Sequence, residues 1–397
     1  MKTAIYVHVP FCLQRCAYCD FNTYSGLLPL RPAYVDVLHQ EIRHRAALYP
    51  EIEATTLYFG GGTPSLLPPE LVSAVIADVG QHFRLLHDAE ITLEANPGTV
   101  DAASLSALRA AGVNRLSLGV QSAHDDELRM LGRIHSWREA VRAVDAARQA
   151  SFDNVSVDLI YGLPGQTLSR WEETVARVLA LEPQHLSLYA LTLEPETPLA
   201  EVVDTGALPS PDPDLAADMY EHVSEVLHEV GFWQYEISNW ARGLYPSETA
   251  WALPPGGQTE AIGPWVGQHN LVYWRNHPWL GLGAGAYSWL RQRRWSNARH
   301  PVHYVQEGQS GRWPEIDVET ISPALERSET LMLGLRLAEG VSDARFRARF
   351  GVGLIETCGE TVAQLSDVGL VVWDGLRLRL SSRGRLLGNQ VFGAFLP

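Results

Sequence analysis

Three of the four cysteines in this chain fall within eight residues, Cys12-Leu-Gln-Arg-Cys16-Ala-Tyr-Cys19. Three thiolates on one short loop can ligate three irons of a cubane cluster and leave the fourth iron without a protein ligand. A cluster built only to carry electrons usually has four cysteines, so this loop keeps one coordination position for something else. The same spacing also suits a structural zinc ion, with His8 as a fourth ligand. Cys358 lies far along the chain and reads as a buried apolar residue, not a ligand.

A second pattern is Tyr58-Phe-Gly-Gly61-Gly62-Thr63-Pro64. Glycines at a strand end let backbone approach a ligand, and free N–H groups there can bind a carboxylate. Taken alone, a glycine-rich tight turn is the commoner explanation. Polar groups interrupt other apolar runs: Glu94 in Leu93-Glu-Ala-Asn-Pro97, Gln121 after Ser117-Leu-Gly-Val120, Arg133 in Leu131-Gly-Arg-Ile-His135, and Asp158 in Val155-Ser-Val-Asp-Leu-Ile-Tyr161. Each by itself reads as a satisfied structural polar residue. Farther on, Tyr235-Glu-Ile-Ser-Asn239 precedes, after an insertion, His269-Asn270-Leu-Val-Tyr273-Trp274. His269 is a competent axial iron ligand and Tyr273 a second one. Asn270 is a candidate to orient the imidazole by a hydrogen bond, and Trp274 offers an apolar face. An aromatic strand with a surface histidine accounts for the same residues without any chemistry.

These residues need a scaffold, and the first half of the chain supplies a pattern for one. Apolar β-rich runs at residues 4–9, 55–60, 90–95, 115–120, 154–160 and 185–191 alternate with amphipathic runs at 32–48, 69–83, 102–111, 137–149 and 168–181. Such alternation implies βαβ units and a parallel sheet. Without a Gly-x-Gly-x-x-Gly fingerprint, the pattern predicts an α/β fold of the TIM type, a six-stranded partial (β/α)6 barrel. Sites in such barrels form at the C-terminal strand ends. Beyond Leu193 come loop signals, a helix over 215–230 and an irregular Pro-, Gly- and Trp-rich excursion over 244–266. Helices over 323–337, 343–350 and 354–365 and a hairpin around Trp373-Asp-Gly375 read as a smaller, mainly helical, winged-helix-like C-terminal domain. The expected divisions are 1–200 for the partial barrel, 201–310 for a region carrying the histidine motif and the insertion, and 311–397 for the C-terminal domain.

Composition narrows the partners. With 46 acidic against 31 basic residues and a net charge of -15, the chain does not suit nucleic acid. No apolar run reaches the length of a membrane span, and the start of the chain runs directly into a strand-like segment without a signal-type apolar region. A reducing cytoplasm is the expected compartment, with no integral membrane segment.

The Cys-x3-Cys-x2-Cys loop, followed one strand later by the glycine segment, resembles the radical S-adenosylmethionine (SAM) superfamily. Glu94, Gln121, Arg133 and Asp158 follow in an order similar to its branch containing oxygen-independent coproporphyrinogen III oxidase. That resemblance implies a [4Fe-4S] cluster on Cys12, Cys16 and Cys19. It implies that Tyr6, Gly61 and Glu94 contact the cluster-bound SAM. It also implies that Tyr18, Gly62, Thr63, Gln121, Arg133 and Asp158 correspond to contacts with a second SAM. A reductant for the cluster is a further implied partner.

The branch holds both oxidases and haem chaperones of the HemW type. The oxidase has an N-terminal extension, nearly absent here, and a cysteine two residues past the third ligand, where this chain has Phe21. His269-Asn-Leu-Val-Tyr-Trp274 resembles the chaperones' haem motif, which implies haem as ligand of His269, Asn270, Tyr273 and Trp274. A recipient haem protein, such as a respiratory enzyme, is then the implied partner. The alternative is oxidative decarboxylation of coproporphyrinogen III, and whether SAM is cleaved stays open. Tyr287 stands where relatives often have histidine. Arg291, Arg293 and Arg294 are candidates, by charge alone, for holding haem propionates.

Overall fold

A computed structural model describes residues 1–243 and 263–396. Most of the 244–266 excursion therefore lies outside the described residues. The chain divides into two compact units, one formed by Met1–Val223 with Pro278–Glu319 and the other by Ser224–His277 with Thr320–Pro397.

In the first unit, six parallel strands follow one another in sequence order: β1 (Lys2–Val9), β2 (Glu53–Gly61), β3 (Glu90–Ala95), β4 (Arg115–Gln121), β5 (Val155–Tyr161) and β6 (His185–Ala190). Helices Arg31–Leu48, Pro69–Phe83, Ala102–Ala110, Trp137–Gln149 and Leu168–Leu179 lie between them. Their starts are written locally. Ser136 and Glu139 form a capping box, as do Asp101 and Ser104, and Thr167 caps the last of these helices. Pro69 opens its helix at a position where a missing N–H costs nothing. The strands are buried along most of their length, as parallel strands covered on both faces must be.

Where a six-stranded partial (β/α)6 barrel was expected, the described strands form a sheet wider than its six repeats. Trp279–Leu282 pairs in parallel with the outer edge of β1, and Tyr287–Leu290 and Arg293–Ser296 continue outward as antiparallel strands. The result is a large mixed sheet. A bare β1 edge would expose a row of unpaired backbone groups. The residues that cover it lie more than 250 positions away, so local alternation could not reveal them.

The second unit contains the hairpin Phe232–Glu236 and Asn239–Arg242, the helix Gln268–Trp274, and the helices Pro323–Gly334, Asp343–Phe350 and Leu354–Asp367. It is not wholly helical. Val341–Ser342, Arg377–Leu380 and Val371–Trp373 form a small antiparallel sheet. Its core gathers Leu335, Phe346, Leu354, Leu378, Val391 and Phe392, with the half-buried Cys358 packed against them. Cys358 donates to the Leu354 carbonyl, and burial pushes its thiol up to about 11, which suits a structural residue. Among the described residues, no helix is long and apolar enough to cross a membrane.

Candidate functional site

The cysteine loop leaves β1 at its C-terminal end and is tied down on several sides within the first unit. Phe11–Cys12 pairs with Tyr24–Ser25, which closes the loop. Ala17 N–H donates to the Leu131 carbonyl at 3.0 Å and Thr63 N–H to the Phe11 carbonyl at 2.8 Å. Gly62 N–H donates to the Val9 carbonyl at 2.8 Å. A Cβ on Gly62 would lie 2.7 Å from the Phe11 carbonyl oxygen. This glycine thus admits the backbone of the cysteine loop itself, a different role from the ligand approach expected of it. Gly61 does have a left-handed φ of +112°, and a Cβ there would strike the His8 ring.

Each cysteine has a defined neighbour. Cys12 Sγ is 3.6 Å from Thr63 Oγ1, Cys19 Sγ is 4.0 Å from Thr23 Oγ1, and Arg133 Nη1 donates to Cys16 Sγ at 3.2 Å. Burial pushes the Cys12 and Cys19 thiols up, and the other cysteines' charges add to the effect. Three thiolates in these dry, mutually repelling positions need a positively charged group among them. A cluster meets that need. No group of three or more His, Cys, Asp or Glu side chains among the described residues is placed to hold one metal ion. His8, the suggested fourth ligand, has Nε2 against the Asn22 carbonyl at 2.9 Å and Nδ1 against the Tyr6 hydroxyl at 3.0 Å.

The neighbouring strands bring polar groups to the same side. Glu94 ends β3, where Tyr58 Oη donates to its Oε1 at 2.7 Å and Gly61 N–H to its Oε2 at 3.1 Å. Its desolvated surroundings push this carboxyl up to about 7. Tyr6 stacks on Tyr58 at 6.2 Å. Gln121 ends β4 with a left-handed φ of 72°, beside a register shift between Gly119 and Gln121. A non-glycine residue there holds strain that re-aims its side chain. Arg133 joins this group, since Nη2 donates to the Gly119 carbonyl at 2.6 Å while its Nε is buried without an acceptor. Burial pushes the Tyr18 hydroxyl up, and the charge of Arg133 opposes that shift. Asp158 differs from the others. It sits mid-strand in β5, not at a strand end, and accepts from Ser117 at 3.0 Å and from Ser156 at 3.3 Å.

Sequence reasoning missed the brace behind the loop. Tyr34 donates to the His8 carbonyl at 2.8 Å and accepts from Ala284 N–H at 2.8 Å, while Asn22 donates to the Ala284 carbonyl at 3.2 Å. The residues that brace the loop thus come from a helix and from the distant glycine-rich segment Gly281-Leu-Gly-Ala-Gly-Ala. The only available signal was the glycine density of that segment.

The histidine motif of the second unit is a helix, Gln268–Trp274, not the strand weighed above, and His269 is buried. One turn apart, His269 and Tyr273 share a face, with Nε2 and Oη 2.9 Å apart and rings edge-on at 81°. Asn270 and Trp274 form the adjoining flank, about 100° round the helix. Tyr235 ties the two sequence motifs together, because its hydroxyl accepts from the N–H of Gly267, the residue that opens this helix, at 3.3 Å. Around it pack Trp233, Val266, Leu271, Leu337 and Ala338. The arginines nominated for propionates are already paired, Arg291 with Glu51, Arg293 with Glu315 at 3.0 Å and Arg294 with Glu319 at 3.2 Å. Tyr287 donates to Asp317 at 3.1 Å.

A family model described as the Radical SAM superfamily matches residues 6–178, and one described as the HemN C-terminal domain matches residues 321–387. Heme chaperone HemW of Bacillus subtilis (strain 168) is 35% identical over 397 residues, covering 100% of this chain and 99% of that protein. Heme chaperone HemW of Synechocystis is 39% identical over 353 residues, covering 87% of this chain and 80% of that protein. Among solved structures, coproporphyrinogen III oxidase (HemN) from Escherichia coli aligns with a TM-score of 0.82, over 99% of this chain and 89% of that one. At 24% identity this last likeness speaks for the fold.

Proposed function

Since the chain belongs to the HemW family of radical SAM proteins, we propose that it is a cytoplasmic haem chaperone. In this reading Cys12, Cys16 and Cys19 hold a [4Fe-4S] cluster, Tyr6, Gly61 and Glu94 contact SAM at its open iron, and His269 and Tyr273 hold haem for transfer to a recipient haem protein. A cluster with SAM at its open position supplies single low-potential electrons when a reductant loads it. Of the second group, Tyr18, Gly62, Thr63, Gln121, Arg133 and Asp158, four already have protein partners: Gly62, Thr63, Arg133 and Asp158.

The chain's own residues have defined tasks here. Arg133 donates to Cys16 Sγ and places positive charge beside it. Glu94, held near neutrality by its dry surroundings, can accept from an amino group when ionised and donate when protonated. Tyr273 keeps the His269 imidazole in one orientation and must yield Nε2 before an iron can take that position. Asn270 and Trp274 would flank the ring system.

The observation that carries the reading is the His269–Tyr273 pair, two iron-ligating side chains one turn apart on a helix, in a chain that also has the three-cysteine loop. The test is one anaerobic preparation, reconstituted with iron and sulfide. Haem titration, SAM cleavage and coproporphyrinogen turnover are measured on it together. Stoichiometric haem binding that fails in His269→Ala, without coproporphyrinogen consumption, is expected. Catalytic turnover of coproporphyrinogen would overturn the chaperone reading, and zinc in place of a cluster would overturn both.

A further inference from the structure

Arg336 follows the helix Pro323–Gly334 in the second unit and precedes Leu337, which bridges to Glu236. Its guanidinium lies between two aromatic rings, 5.3 Å from the Trp274 centroid and 4.3 Å from that of Phe392. Rings over a guanidinium cover its faces and leave its edge, and a guanidinium donates only along that edge. Yet among the described residues no hydrogen bond or ion pair reaches it, and its Nε is buried without an acceptor. The indole Nε1 of the adjacent Trp274 is also buried without an acceptor. Two neighbouring donors that lack partners are costly unless something accepts from them.

Two other arginines of this unit have a carboxylate partner. Arg275 has Glu339 at 3.0 Å and Arg349 has Glu326 at 2.7 Å. The carboxyl whose charge reaches Arg336 is Glu236, but it accepts from Ser238 N–H at 3.1 Å and from the Asn239 amide. Burial also pushes Glu236 up to about 7, so at neutral pH it is only partly ionised. The fold thus leaves a pre-oriented cation and an indole N–H for a carboxylate that the described residues do not provide.

We propose that Arg336, with the Trp274 indole N–H beside it, anchors a propionate carboxylate of haem held at His269 and Tyr273. This proposal rests on the haem reading above. Trp274 lies five residues beyond His269 on the same helix, about 7.5 Å along the axis and about 140° round it. A guanidinium fork matches a carboxylate in its plane, and such charge-assisted pairs are the stronger class of hydrogen bond.

The test compares haem with haem dimethyl ester, which keeps the ring and iron but has no carboxylates. Both are titrated into the full-length protein by Soret absorbance, for the wild type, Arg336→Gln and Arg336→Lys. The wild type is expected to favour haem over the diester by about tenfold. R336Q should weaken haem by about that factor and leave the diester unchanged, so that the preference disappears. R336K keeps charge and stem and should retain part of it. A preference unchanged in both variants overturns the assignment, as does equal loss of both ligands, which would mark Arg336 as a packing residue for Trp274 and Phe392. If R336Q does not fold, the ratio in R336K decides alone. A wild type that binds neither ligand would instead sink the haem reading itself, as would a His269→Ala variant that binds haem as tightly as the wild type.

Discussion

The cysteine-loop region and the histidine helix are built in opposite ways. The first collects single residues from many places: Cys12 after β1, Gly61 at the end of β2, Glu94 from β3, Gln121 from β4 and Arg133 from the loop beyond. Their relation depends on parallel register and on backbone ties such as Thr63 N–H to the Phe11 carbonyl. The second draws its two candidate iron ligands from one short helix, where the 3.6-residue period alone puts His269 over Tyr273. A gathered site is specified by the whole sheet and tolerates little local change. A contiguous one needs only that its helix form and be anchored. The two share one device, a buried carboxyl held near neutral pH, Glu94 in one and Glu236 in the other.

The contrast can be broken most severely at Cys16. Cys16→Ala should abolish the cluster, read by iron content and visible absorbance, while haem affinity stays within about twofold. Loss of both would mean that the regions work as one site. His269→Ala is the mirror experiment. It should lower haem affinity by at least about tenfold, an axial ligand being a strong bond, and leave the cluster spectrum unchanged.

The shared carboxyls give a smaller, pH-dependent effect. Glu94 and Glu236 each titrate at about 7 in the folded protein against an ordinary 4.5. The folded state therefore binds more protons in this window. Their stabilising contribution is complete below the unfolded value and is lost as pH rises through about 7. Chemical denaturation of the apoprotein should show stability falling between these limits, by roughly 1–3 kcal/mol for each group. Glu94→Gln and Glu236→Gln should each remove their own share of the slope. An unchanged slope in either variant would separate the two regions in this respect. The smallest effect is expected at the anchor of the helix. Tyr235→Phe removes the acceptor for Gly267 N–H and should cost about 1 kcal/mol in thermal or denaturant unfolding, with the cluster untouched.

Much of this was legible in the chain. The alternation of apolar runs gave the six consecutive strands to within about two residues, because a parallel strand and its amphipathic partner are written in local periodicity. Family resemblance then nominated the polar strand residues that the fold brings to one side. The helix at 268–274 was not legible, since two aromatic residues, a valine and a leucine suit a strand as well, and packing against Trp233 and Leu337 decides between them. The brace of Tyr34, Asn22 and Ala284 was invisible for a related reason, as Ala284 lies 250 residues from Tyr34 and 262 from Asn22.

By itself, then, the sequence determined which chemistry-bearing groups stand close together along the chain. Thiol spacing, an imidazole and a phenol four residues apart, and the repeating βα pattern are properties of short segments, and short segments carry them unaided. Tertiary structure decided which groups are left with work to do. Arg291, Arg293 and Arg294 look the same as Arg336 in the sequence, but the first three meet carboxylates and Arg336 meets two aromatic rings. Whether a charge is satisfied depends on what the rest of the chain folds against it, and no local pattern contains that information.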